Sequence, residues 1–399
     1  TPHRPRGNAE APAGGSLPPA LVDREPPVNP TAPHTPRHRA EAAARPADGP
    51  AVRVVVVIPA HDEEQALPAT VASLAAQTRR PDRVLVVSDN STDATVAVAR
   101  AAGADVMETV GNTARKAGAL NQAIATTTED VVMVLDADTT IAPTFVEEGL
   151  AVLASAPEVA AVGGVFRGRP PQGYLQHCQA NEYTRYGVQV DLTGRTAVLT
   201  GTAALVRRTA LQEVADARGS VLPGDRGDVY DRHAITEDSE LTLALRTLGH
   251  ELRSPVTMSC TTELMPTAGD LHRQRVRWYK GMLDNLAEYG LTRTTWRYVG
   301  QQVMLAVGTL MMAAYLLLTA VTLVTGTFTL SPLWAAVGLV FAAERLVTVW
   351  GAGRRARLLA ALVLPELLYD LALQRAFLHA AALFVTRRQT TWNHVAATA

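Results

Sequence analysis

The stretch Val131-Val-Met-Val-Leu-Asp-Ala-Asp138 decides how the chain is read. Five apolar residues without a break suit a strand buried on both faces, as in a parallel sheet. Two carboxylates then leave its carboxyl end, spaced so that both can face one crevice. Working outward, the same unit recurs. Residues 52–58 are a β-branched run closed by Pro59, followed by a helical stretch near 64–77 with Leu67, Val71, Leu74 and Ala75 on one face. Strand 83–87 precedes helix 92–102, and Asp105–Glu108 precedes helix 116–126. Val131–Leu135 precedes helix 143–154, and residues 159–166 read as one further strand. Alternating strands and helices predict a doubly wound α/β domain. In such sheets ligands bind at the carboxyl ends of strands. The acids fall there: Asp62 and Glu63 after the first strand, Asp89 after the second, Asp136 and Asp138 after the fourth.

The rest of the 399 residues is unlike this core. A formal net charge of −1 excludes the overall basicity of many nucleic-acid binders, so no nucleic-acid partner is expected. Residues 1–50 hold 12 of the 24 prolines and have no apolar core segment. They read as a disordered Pro-rich tail rather than a conventional signal peptide. Residues 298–343 contain no Asp, Glu, Lys or Arg. Within them, 303–324 is long enough to cross a hydrocarbon core of ~30 Å as a helix. Residues 333–350 read as a second span despite Glu344 and Arg345. The loop after it carries Arg354, Arg355 and Arg357, which predicts a cytoplasmic location. Residues 358–385 are apolar but include Pro365, Glu366, Asp370, Arg375 and His379. They form either a third span whose polar face meets Glu344 and Arg345, or a re-entrant or interfacial pair. Cys178 and Cys260 are too few for a disulfide framework or a cysteine zinc site and read as reduced thiols. All but two of the 37 basic residues are arginine; Lys116 and Lys280 stand out.

No dinucleotide or P-loop glycine motif occurs. Asp136-Ala-Asp138 offers hard oxygen ligands suited to Mg2+ or Mn2+ on a diphosphate, or else a turn or helix cap. Thr236-Glu-Asp238 opens a helical stretch over 238–248. Its acids either complement the helix dipole or supply a carboxylate that accepts a proton from an attacking hydroxyl. Gln274-Arg-Val-Arg-Trp278 lies on a helix over 266–289 whose apolar stripe is Leu271, Trp278, Met282 and Leu286. That is an amphipathic interfacial helix, or a source of guanidinium and indole groups for phosphate and sugar.

With these motifs in place, the chain resembles a membrane-bound family 2 glycosyltransferase of the processive kind, such as the bacterial cellulose, hyaluronan and poly-N-acetylglucosamine synthases. Seven stretches carry the resemblance, in the family's order across about residues 51–290. They are Val54-Val-Val-Val-Ile-Pro-Ala-His-Asp-Glu63, Ser88-Asp-Asn-Ser-Thr-Asp93, Lys116-Ala-Gly-Ala-Leu-Asn121, Asp136-Ala-Asp138, Thr200-Gly-Thr202, Thr236-Glu-Asp238 and Gln274-Arg-Val-Arg-Trp278. The resemblance implies a GT-A-type doubly wound catalytic domain over 51–265 and an amphipathic interfacial helix within 266–300. It further implies a transmembrane region of two to three spans over 301–385 and a C-terminal tail over 386–399.

It also implies roles. Ala60, Glu63, Asp89 and Lys116 would line the nucleotide pocket. Asp136 and Asp138 would hold the donor diphosphate through Mg2+ or Mn2+. Thr200, Gly201, Thr202 and Glu237 would border the acceptor, and Asp238 would be the general base. Arg275 and Arg277 would cover the diphosphate, while Gln274 and Trp278 cradle the acceptor. The implied reaction is an inverting transfer from a UDP-sugar to a saccharide or lipid-linked acceptor, building a polysaccharide at the cytosolic face of the cell membrane. Two departures qualify it. Asp62 stands where many relatives have Asn. No span is expected before the catalytic domain, and two or three spans are too few to enclose a polymer channel. A partner subunit or homo-oligomer would complete that channel among membrane lipids, or the product is short and lipid-linked. The alternatives are transfer of one sugar to a membrane lipid or polyprenyl phosphate, and a non-catalytic scaffold or carbohydrate-binding subunit. The intact acids and the Gln-Arg-x-Arg-Trp block speak against the last.

Overall fold

Alternate residues of β1 (Val54–Ala60) enter opposite cores, which is why its sequence is apolar without a break. Val55 and Val57 face one side of the sheet, Val54, Val56 and Ile58 the other, and all five are fully buried. Each contributes about 1.5–3 kcal/mol by burial. The structure, a computed structural model, describes residues 52–388. The tail expected over 1–50 and the C-terminal tail beyond residue 388 lie outside the described residues.

β1 lies between β2 (Arg83–Ser88) and β4 (Val131–Leu135), parallel to both, and β3 (Asp105–Glu108) extends the edge. The other half of the sheet is not parallel. β8 (Ala203–Arg207) runs antiparallel to β4 and to β6 (Val159–Gly163), and β9 (Glu251–Arg253) closes the order β3-β2-β1-β4-β8-β6-β9. The α/β class holds, and the sheet is mixed. Helices α3 (Arg115–Ala125), α6 (Arg208–Ala217) and α7 (Glu237–Thr247) cover one face. Helices α1 (Leu67–Ala75), α2 (Thr95–Ala101) and α4 (Phe145–Ser155) cover the other.

The single strand predicted over 159–166 is two. At Gly164 the chain leaves the large sheet, and β7 (Val165–Gly168) joins a small one with β5 (Thr140–Ile141) and β10 (Ser259–Thr262). A Cβ on Gly164 would stand 2.7 Å from the Phe145 ring, so the crossing needs glycine there. α5 (Gly173–Thr193) then runs alongside and buries Cys178, Gln179, Asn181, Tyr183 and Val190.

A one-sided amphipathic helix is what the spacing over 266–289 predicts. α8 (Ala268–Tyr289) instead carries contacts on two sides. Met282 and Leu286 meet Leu243 of α7, while Val276 meets Ala376 and Ala380 of α12 (Leu364–Val385). Arg218, at the end of α6, is fully buried and forms a two-pronged ion pair with Glu240 of α7, and Tyr289 of α8 donates to the same carboxylate.

Toward the carboxyl end, α9 (Trp296–Val324) and α12 are, among the described residues, the helices long and apolar enough to cross a membrane. The Tyr298 hydroxyl at the start of α9 donates to the Ala197 carbonyl and accepts from Arg246 of α7. The second predicted span is α10 (Pro332–Thr348), whose 17 residues extend roughly 25 Å. Residues 358–385 divide into α11 (Arg354–Ala361) and α12, because Pro365 cannot continue a helix through the break at Val363, which takes a φ of 50°. Their polar face meets Arg345 rather than Glu344. Arg345 pairs with Glu366 and Asp370, and Glu366 also accepts from Arg185 and Asn181 of α5.

Arg218→Leu leaves Glu240 buried without its cation. We expect a stability loss of about 3–5 kcal/mol, read by denaturation of the full chain in detergent, with Arg218→Leu/Glu240→Leu recovering most of it.

Candidate active site

Four chain segments meet where β4 ends and β8 begins. Leu135 is paired with Ala203, so the Asp136 N–H donates to the Thr202 carbonyl at 2.9 Å and the two segments leave the sheet together. Lys116, in the first turn of α3, reaches across them. Its Nζ lies 2.7 Å from Asp136 Oδ1 and 2.7 Å from Glu237 Oε1, and it donates to the Gly201 carbonyl at 3.3 Å. Burial opposes the charge on Lys116, yet Asp136 and Glu237 outweigh it and hold its pKa well above the ordinary lysine value. Asp238, the next residue on α7, accepts the Gly201 N–H at Oδ2 (3.1 Å) and the Ser239 N–H at Oδ1 (2.7 Å). Burial first, and the neighbouring Glu237 second, push its pKa up to about 6. Gly201 has no room for a side chain, since a Cβ would stand 3.0 Å from both Cβ and Oδ2 of Asp238. Thr200 and Thr202 share a hydroxyl contact of 2.7 Å beside it.

The small sheet brings a second group of charges. Asp138 precedes β5, Arg169 follows β7 and Glu263 follows β10. Arg169 donates to the Asp138 carbonyl at 2.8 Å and lies 3.5 Å from Glu263. Glu63 approaches from the loop after β1. Burial, then Asp138, Glu263 and Asp136, raise its pKa to about 8. Burial and Glu263 likewise raise Asp138. The residues present fit a hard divalent cation: carboxylate oxygens that penalise one another, with Asp138 accepting at its side chain, among the described residues, only from Thr139. Among the described residues no three acidic, His or Cys side chains close into a cage. Mg2+ and Mn2+ sites of the open kind take one or two carboxylates and fill the shell from water and substrate phosphate.

The residues expected to line a nucleotide pocket include Ala60, Glu63 and Asp89, at and after the ends of β1 and β2. The Ala60 carbonyl accepts from the Asp89 N–H, and Asp89 Oδ1 accepts from Thr109, Asn112 and Asn90 at 2.8–2.9 Å. Asp62 takes a φ of 55°, and its Oδ1 accepts the N–H groups of Thr92 (2.7 Å) and Asp93 (3.3 Å). The Thr92 bond holds its carboxyl below the usual range. The acid therefore ties this loop to the one after β2.

On α8 the predicted residues part company. Arg277 is close enough to Glu237 and Asp238 to favour their ionised forms. Gln274 Oε1 is buried with no hydrogen-bond partner among the described residues. Arg275 instead turns to α5. Its guanidinium pairs with Glu182 at 2.8 Å and lies 4.3 Å from the centre of the Trp278 ring. These contacts hold it between Glu182 and the Trp278 ring. Lys280 is buried and pairs with Asp284 one turn on, beside the end of α12.

Sequence reasoning assigned no role to several residues, although Asn121 and Thr236 stand within its motifs. Glu263 and Arg169 belong to no motif spacing. Asn121 closes the loop before α7 by accepting from Val229 and Tyr230 N–H groups and donating to the Tyr230 carbonyl. An amide on the buried face of α3 was the available signal. Thr236, Ser239 and Asn285 form a hydrogen-bonded group between α7 and α8, with Gly281 so close that a Cβ would stand 2.6 Å from Thr236 Cγ2.

The chain is similar to several known proteins. Residues 55–215 match the family model described as Glycosyl transferase family 2. The poly-beta-1,6-N-acetyl-D-glucosamine synthase of Staphylococcus aureus (strain COL) is 25% identical over 242 residues, 57% of this chain and 54% of that protein. The Staphylococcus epidermidis synthase is 30% identical over 173 residues, 42% of this chain and 38% of its own. The chain thus spans about half the length, or less, of the curated relatives it matches. In fold it is similar to a mannosyltransferase from Pyrobaculum calidifontis solved with GDP-Man and Mn2+. That likeness has a TM-score of 0.54 at 20% identity and covers 84% of this chain and 88% of that one. The fold is therefore of the GT-A kind.

Gly201→Ala should push the Asp238 carboxylate out of place without unfolding the sheet. We expect an unchanged melting temperature with the Asp238 carboxylate displaced from its present position, checked by thermal unfolding and a crystal structure of the variant.

Proposed function

We propose that this chain, which carries a Glycosyl transferase family 2 domain over residues 55–215, moves a sugar with inversion from a UDP-sugar to a growing polysaccharide at the cytosolic membrane face. One observation carries the reading. Lys116 joins Asp136, at the end of β4, to Glu237, next to Asp238 on α7, so the acids of both motifs line one crevice. The similarity to two synthases of a polymeric N-acetylglucosamine supports the product class.

In this reading Asp89 and the loop of Ala60 and Glu63 hold the nucleoside. Asp136 and Asp138 would hold Mg2+ or Mn2+, which supplies charge neutralisation on the leaving diphosphate. Arg277 brings a guanidinium to the same developing charge, where a planar fork suits phosphate oxygens. The acceptor lies against Thr200–Thr202. Gln274, whose Oε1 lacks a partner among the described residues, takes a sugar hydroxyl, and the Trp278 indole offers a flat face to the ring. Asp238 accepts the proton of the attacking hydroxyl while the bond from the anomeric carbon to the diphosphate breaks on the opposite side. Lys116 stays protonated throughout and fixes Glu237, so that Asp238 keeps its place against Gly201. Arg275 acts through Trp278 and is a positioning residue.

Asp238 must be ionised to accept a proton, and its pKa is raised to about 6. Turnover should therefore rise with pH through about 6 and level off above it. Asp238→Asn should lower turnover about 10²–10⁴-fold with UDP affinity kept; parallel loss of UDP affinity would remove the base assignment. The product assay uses the purified full chain, Mn2+ and a panel of radiolabelled UDP-sugars that includes UDP-N-acetylglucosamine and UDP-glucose. Polymer is the expected result. A single-sugar lipid product would replace polymerisation by one-step lipid glycosylation, and no nucleotide release with any donor would overturn the enzymatic reading.

A further inference from the structure

Beyond the catalytic crevice, a groove of about 710 Å³ lies between α5, β7 and the turn that leads from α10 into α11. Its charged lining is uneven. Arg167 comes from β7, Arg354 and Arg355 open α11, and Asp191 is the only carboxylate among the described lining residues. None of the three arginines has an ion-pair or side-chain hydrogen-bond partner among the described residues. Most other arginines at this end of the molecule are engaged: Arg185 and Arg345 by Glu366, Arg275 by Glu182, and Arg357 over the Trp350 ring. Three unpaired guanidinium groups around one recess mark a place for an anion, because guanidinium forks match phosphate oxygens.

The surroundings say where that anion comes from. Val347 and Trp350 before the turn, and Leu358 and Leu362 after it, are all more than half exposed. The same helical hairpin adjoins α10, whose Leu333, Trp334, Leu339, Val340 and Phe341 are also exposed. An apolar surface that ends on a ring of arginines is the pattern of a lipid site, with chains along the first and the headgroup in the second. The apolar side chains put the recess at a lipid-facing surface, where the anionic groups at hand are phospholipid headgroups. Phe166 and Thr184 also line the groove, and Phe166 packs edge-on against Tyr183.

We propose that this groove binds the phosphate headgroup of an anionic membrane phospholipid, held by Arg167, Arg354 and Arg355. The site goes beyond the catalytic reading, and its test reads lipid binding rather than turnover, so the two stand or fall separately.

The experiment is native mass spectrometry of the full chain in a neutral detergent, titrated with dioleoylphosphatidylglycerol, dioleoylphosphatidylcholine or inorganic phosphate. Saturable phosphatidylglycerol binding is expected, with weaker binding of phosphatidylcholine and no phosphate adduct at the same concentration. Arg354→Gln/Arg355→Gln should weaken it about tenfold, and Arg354→Lys/Arg355→Lys should keep most of it. Arg167→Gln, on the opposite wall, should weaken it independently should the double variant fold poorly. Unchanged binding in a folded variant would overturn the site. Equal binding of phosphatidylcholine would remove the anionic selectivity, and equal binding of inorganic phosphate would remove the lipid. Arg387→Gln/Arg388→Gln, beyond α12, serves as the control; an equal loss there would reduce the effect to diffuse surface charge and overturn the groove.

Discussion

The ammonium group of Lys116 is shared between two carboxylates from distant parts of the chain, and the shape of the crevice follows from that sharing. Its position is costly in isolation. A cation in the first turn of a helix opposes the helix dipole, and burial opposes any charge. Asp136 and Glu237 reverse both effects, so the lysine and its acids hold one another in place. The local backbone is arranged around this: Arg115 takes a φ of 54°, and Gly118 lets Asn112 approach where a side chain would collide. Because the Lys116 amine also donates to the Gly201 carbonyl, and the Gly201 N–H meets Asp238, one cation fixes strand end, loop and helix start together.

A neighbouring group of acids is electrostatically strained. Burial raises the pKa values of Glu63, Asp136 and Asp138, and the charge of Glu263 adds to it at Glu63 and Asp138, while Asp62, nearby on the same loop, is held low by the Thr92 N–H. The difference lies in what each carboxylate accepts. Asp62 takes backbone donors and closes a loop. The others face into the crevice, where a cation and a charged substrate would find oxygen ligands already gathered.

How much of this was legible depends on how far apart the interacting residues lie. The runs at Val54–Ala60 and Val131–Leu135 were plain because burial on both faces leaves only one composition possible. Most motif residues around Asp136, Lys116, Gly201 and Asp238 do converge, and the rarity of lysine drew attention to Lys116. α5 was not legible, because it buries Gln179 and Asn181, whose partners are Met265, Ala356 and Glu366. The orientation of Arg275 depends on Glu182, far back in the sequence, and nothing in the spacing of its own motif indicates it. The strand break at Gly164 hid for another reason: the residues on both sides are apolar, and only the Phe145 ring makes the glycine necessary.

The two-sided packing of α8 has a consequence for dissecting the protein. Drawn on the sequence, the boundary near residue 265 separates a soluble enzyme from its anchor. Physically there is no seam there, since Tyr289 completes the buried Arg218–Glu240 pair and Asn285 ties the start of α7. Cutting after α8 would in turn bare Val276 and Tyr279, which α12 covers with Ala376, Phe377 and Ala380. The smallest self-sufficient unit therefore extends through α12, and a water-soluble fragment would need a redesigned α8 surface before it could stand in for the whole.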